Sequence, residues 1–141
     1  MSHVDTLLAE GLAAIAAKSV KETSYHLHHA RDWLVRMGDG TDESHARVQA
    51  AVDHLMPYTE EFWTTSPAEG AAVAARVAID VWALRPAWDA IVNEALAEAT
   101  LTRPNFHGYV TEGKVGLHSE HLGFLLAEMQ SLARAHPDGR W

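Results

Sequence analysis

The stretch Lys21 to Trp33, KETSYHLHHARDW, carries the densest set of side chains able to do chemistry. Glu22 and His26 stand four residues apart, so on a helix they meet over one turn. A carboxylate against an imidazole can be a metal site, an acid–base pair or a structural hydrogen bond. Bundle di-iron sites take a Glu-x-x-His pair from each of two helices and a Glu from each of two more. Here the residue three after Glu22 is Tyr25, and the histidine comes one position later. The reading adopted is a structural polar cluster of Glu22, His26, His29 and Trp33, within which Glu22 and His26 are the metal-ligand candidates. Asp42 and His45 have a three-residue ligand spacing, but they fall in a first helical turn, where acidic residues are expected for electrostatic reasons. Later in the chain Lys114, His118, Glu120 and His121, with His107 before them, are candidates for ligand or partner contact, because loops carry function out of proportion to their length. His118 and His121 can share a cation, yet zinc would need further ligands.

These residues are positioned by helices. At about 100° per residue, Leu8, Leu12, Ile15, His26, Ala30 and Trp33 share a side of the first helix, continued by Ala16, Val20, Thr23, Leu27 and Leu34. The apolar arc spans roughly 140° or more, against about 100° for an ordinary surface helix, so this helix calls for neighbours on two sides. It is expected from near Val4 to Met37, with Gly38 as a left-handed stop and Asp39-Gly40 as a tight turn. Thr41 should cap the next helix, which Pro57 should interrupt. Ser66-Pro67-Ala68-Glu69 has the form of a capping box. Asp80 is expected to open a helix to about Thr100, with Leu84, Trp88, Ile91 and Ala95 inward. Asn105 to Leu117 reads as a loop whose dispersed glycines do not form a phosphate cradle. Ser119 is the expected cap of a last helix that buries Leu122, Leu125, Leu126, Met129, Leu132 and Ala133. Trp141 is expected to dock on the body or on a partner.

Composition narrows the function classes. The 141 residues suit a single helical domain, 1–141, and 48% hydrophobic content is that of a folded chain. Lys+Arg 11 against Asp+Glu 19 gives a net charge of -8, which argues against a nucleic-acid partner. There is no cysteine, hence no disulfide, no iron–sulfur ligation and no thiol nucleophile. The longest small-apolar run, Gly11 to Ala17, is too short for a membrane span. No signal-peptide pattern is visible, so a cytoplasmic location is expected.

Three stretches in order, KETSYHLHHARDWLVRMGDGTDESH, ALRPAWDAIVNEALAEATLTRP and GKVGLHSEHLGFLLAEMQSLARAHPDGRW, resemble the C-terminal part of PaaC subunits. These belong to the ring-1,2-phenylacetyl-CoA epoxidases of bacterial phenylacetate degradation. The similarity runs from about Leu12 to Trp141 and is weakest over Thr64 to Ile79. It implies an all-α, ferritin-like bundle and a non-catalytic structural subunit of a monooxygenase complex. The family's di-iron site lies in a sister PaaA subunit, and a flavin and iron–sulfur reductase supplies electrons from NADPH. No iron-ligand role carries over to any residue here, and the Glu22, Tyr25, His26 pattern agrees with a helix that has lost its iron spacing. The expectation is therefore no cofactor in this chain and a PaaA-like di-iron partner. Family members are longer, so the resemblance also implies that the first three core helices are absent. Only a fourth core helix, roughly Asp5 to Met37, and accessory helices remain, with self-association through the uncovered face. The alternatives are an oligomer that assembles Glu22, His26 and symmetry mates into an oxidase site, or a plain helical oligomerisation protein.

Overall fold

The structure, a computed structural model, describes residues 3–106 and 111–140, with side chains described from residue 10 onward. The side chain of Leu8, and residues His107 and Trp141, lie outside the described set. The architecture is all-α. α1 (His3–Gly38), α2 (Asp42–Leu55), α3 (Pro67–Ala74), α4 (Arg85–Glu98) and α5 (His121–Ala135) follow in order. Short 3-10 turns cover Met56–Trp63, Val81–Leu84 and Gly113–Val115.

Local chemistry accounts for most of these boundaries. Thr41 is extended and its hydroxyl accepts from the Ser44 N–H at 3.2 Å, starting α2 with Asp42 and Glu43 in the first turn. Pro57 lacks the N–H that an α-helix would need, and at this point the chain tightens into the Met56–Trp63 turn. Ser66 and Glu69 close the capping box from both sides, at 3.3 and 2.8 Å. Asp80 does cap, accepting from Trp82 N–H at 3.0 Å, but it opens a 3-10 turn ahead of α4. α4 ends in a Schellman motif: Leu101 N–H reaches Leu96 C=O at 2.8 Å and Thr100 N–H reaches Ala97 C=O at 3.1 Å. Thr100 takes the left-handed position there, with φ 57°.

Two expectations about helix ends are corrected. Gly38 is the last residue of α1 and has no positive φ; among the described glycines only Gly116 does. Glycine is required at 38 for space, because a Cβ there would run into the carbonyl oxygen of Ala99. Ser119 does not cap α5; the capping position is Glu120, whose side chain makes no capping bond, and Ser119 offers only its carbonyl to Leu122 N–H at 3.2 Å.

The core sits where the C-terminal half of α1 crosses α2 and α4. Leu96, Ala99 and Leu101 are buried there, packed by Leu34, Val35, Val48, Val52, Met56 and Val92. Much of the remaining apolar pattern is open among the described residues. Leu12, Ile15, Val20 and Leu27 on α1 are all more than half exposed, and of the stripe expected to face inward after Asp80, Leu84 in the 3-10 turn and Ile91 on α4 are exposed. The α5 stripe expected to be buried is also open: Leu125, Leu126, Met129 and Leu132 are exposed, and Met129 is 71% exposed. The pattern is helical as read, but the surfaces it was meant to meet are absent from these contacts.

Candidate functional site

The polar patch of α1 projects from the unpacked half of that helix. Glu22, His26, His29 and Trp33 are all exposed. The rings form a ladder along the helix: Tyr25 stacks on His29 at 6.2 Å, and His29 meets Trp33 edge-on at 6.4 Å. Glu22 has no hydrogen bond to His26 among the described contacts, so the buried pair that the spacing allows is not assembled by this chain itself. Among the described residues, no group of three His, Cys, Asp or Glu side chains could hold a metal ion. The Glu22–Tyr25–His26 order does not fit the three-residue spacing of a bundle di-iron ligand pair.

The other three-residue pair separates. His45 Nδ1 lies 2.8 Å from the carbonyl oxygen of Gly38. A carbonyl can only accept, so Nδ1 carries the proton and the ring ties the start of α2 to the end of α1. Thr100 donates to the same carbonyl at 3.3 Å. Three elements thus meet at one backbone oxygen, and His45 is structural.

Lys114 turns inward. Its ammonium donates to Phe62 C=O at 3.2 Å and Thr64 C=O at 2.7 Å, and pairs with Glu69 at 2.9 Å. All three donors are used. Glu61 reaches the opposite way, accepting from the Thr111 hydroxyl at 2.7 Å and the Gly113 N–H at 3.1 Å. Those two bonds lower the Glu61 pKa below the usual carboxylate range, the Thr111 hydroxyl more than the Gly113 amide. Glu69 is pushed down to about 2, first by the Ser66 N–H and then by Lys114. His118 and His121 line a hollow of about 300 Å³ with Tyr58, Glu61, Thr111 and Ser119. Glu120 is exposed beside it.

A second arrangement had no local sequence signal. Arg85 binds Glu60 through two nitrogens, at 3.0 and 2.8 Å, and lies over the rings of Trp63 and Trp82. Arg103 pairs with Asp89 at 2.7 Å and lies over Trp88. Arg31 joins α1 to α4 through Glu94 at 2.8 Å and Glu98 at 2.6 Å. Beside that last pair, α1 and α4 form an apolar groove of about 480 Å³, lined by Leu27, Ala30, Leu34, Ile91 and Leu96 with His28 and Arg31 at its edge. The chemistry on offer is that of a surface to be covered.

Residues 5–141 match the family described as phenylacetic acid catabolic protein. The chain belongs to that family. Its all-α architecture is that of the family's ferritin-like class. A relative from Escherichia coli (strain K12), the C subunit of 1,2-phenylacetyl-CoA epoxidase, is 45% identical over 130 residues. The aligned part covers 92% of this chain and 52% of the relative, so the chain spans about half the length of the curated relative it matches. The resemblance of the three stretches to this family is thereby established.

Proposed function

We propose that the chain serves as a structural, non-catalytic subunit of a multicomponent phenylacetyl-CoA epoxidase of the cytoplasm, packing against a catalytic di-iron subunit and shaping that subunit's substrate site. The observation that carries this reading is uncovered surface. The chain exposes 10990 Å². A compact monomer of 15.5 kDa exposes only about 7,200 Å². The difference, of order 3,800 Å², is more than enough for one side of an extensive permanent interface, and the longest runs of exposed large apolar side chains lie on α1 and α5. The similarity to the C subunit of an epoxidase supports the pathway. The single, solvent-facing Glu22/His26 pair, with Tyr25 where a ligand histidine would stand, supports a non-catalytic role.

The test is to mix the purified chain with a di-iron epoxidase subunit and measure association, together with metal content of the chain alone after growth in iron-rich medium. A stable complex and no stoichiometric metal in the lone chain are expected. Iron at one or two equivalents per chain, lost in the Glu22→Ala, His26→Ala variant, would replace the scaffold with a self-assembled oxidase. A folded chain that forms only homo-oligomers and ignores the di-iron partner would reduce it to an oligomerisation protein.

A further inference from the structure

The segment Thr111–His118 is a short closed loop with little apolar packing of its own. Glu112 and Leu117 exchange backbone hydrogen bonds at 2.8 and 3.1 Å, and Gly116 makes the turn with φ 88°. It is fastened to the 56–69 region from both directions. Glu61, from the body, holds Thr111 and Gly113; Lys114, from the loop, holds Phe62 C=O, Thr64 C=O and Glu69. Glu69 is shared, because its other oxygen accepts from the Ser66 N–H at 2.8 Å and completes the cap of α3. α5 begins at His121, three residues after the end of the loop, and among the described residues it touches the other elements only near its base, where Leu122 and Leu125 line the hollow with Tyr58 and Glu61. Whatever direction α5 takes is therefore set at its base.

The geometry points to a latch: the reciprocal Glu61 and Lys114 clasp fixes the 111–118 loop, and through it the direction in which α5 presents its Leu125, Met129 and Leu132 face. Glu61 and Lys114 are positioning residues, and neither belongs to the apolar face they aim. Because the clasp is polar, partly exposed and made by few groups, it opens at a smaller free-energy cost than the junction of α1, α2 and α4, where apolar side chains are buried. The molecule then has two mechanical states, α5 aimed and α5 free, without any change in the core.

The absence of cysteine in the sequence makes the test direct, since labels can be placed at chosen sites. Spin labels at Ala50→Cys on α2 and Ala127→Cys on α5 report the direction of α5. A second pair, Ala50→Cys and Ala90→Cys, reports the junction. In the 141-residue chain both distance distributions should be narrow. Glu61→Ala with Lys114→Met should broaden the α2–α5 distribution at least about twofold and leave α2–α4 unchanged, as expected for local opening. Lys114→Arg alone should preserve the narrow form. A broad α2–α5 distribution in the parent chain, no broadening in the double variant, or equal loosening of both pairs would overturn the latch.

Discussion

The two halves of this molecule follow the same helical pattern and end in different environments. At the junction, Leu96 is 3% exposed, Ala99 is fully buried and Leu101 is 7% exposed. On α5 the corresponding stripe is open along its length, and so is the N-terminal part of the described α1 face. Periodicity is thus a statement about which side of a helix must be covered, and it is silent about what covers it. The junction is covered because α1, α2 and α4 are brought together by specific close approaches: the Gly38–Ala99 contact, the shared Gly38 carbonyl and the Arg31 bridge.

The sharpest way to break this contrast is a pair of truncations. Leu96→Ala should lower unfolding free energy by about 2–5 kcal/mol, measured by urea denaturation. Leu125→Ala in the lone chain should change it by less than about 0.5 kcal/mol. Equal effects would mean that α5 is packed. In the proposed complex, Leu125→Ala should instead weaken association. Gly38→Ala should cost about 1–3 kcal/mol through overpacking, read from the same midpoint.

A smaller effect, of opposite sign, is expected at the edge of the body. Arg76 holds φ 59° after α3, in the region that suits glycine, so Arg76→Gly should raise stability by about 0.5–1 kcal/mol. The smallest effect is one of pH. Glu69 falls from 4.5 to about 2 in the folded chain. A depressed folded value means that its stabilisation is present above pH 4.5 and is lost as pH falls toward 2. Glu61 acts in the same direction. Hydrogen exchange at 111–118 should therefore quicken relative to the junction as pH drops through that window, after correction for intrinsic rates. Lys114→Met should flatten part of that dependence.

The caps at Thr41 and Ser66 and the break at Pro57 are legible because their partners are neighbours in sequence, although the same local pattern points wrongly to Ser119. Thr41 with Ser44, Ser66 with Glu69 and the break at Pro57 depend on three or four residues each. Gly38 is ambiguous in the sequence for the converse reason: glycine suits both a left-handed stop and a tight crossing, and the crossing partner, Ala99, is distant in the chain. The Arg85–Glu60 and Arg31–Glu98 pairs were invisible for the same reason, being 25 and 67 residues apart. In the sequence Lys114 is simply a loop cation. Nothing local told that its ammonium would be spent on two carbonyls and Glu69. The Glu22 and His26 spacing is one turn of helix, but spacing alone does not bring a covering helix to it.

The crossing at Gly38 has a consequence for how freely this fold can vary. Most tight side-chain contacts can be relieved by shrinking the opposing residue, so two positions can drift together. Here the atom that stands nearest to a Cβ at position 38 is a main-chain oxygen, which every amino acid at position 99 would carry. Position 38 is therefore closed to compensation: a change there can be accommodated only by moving a helix.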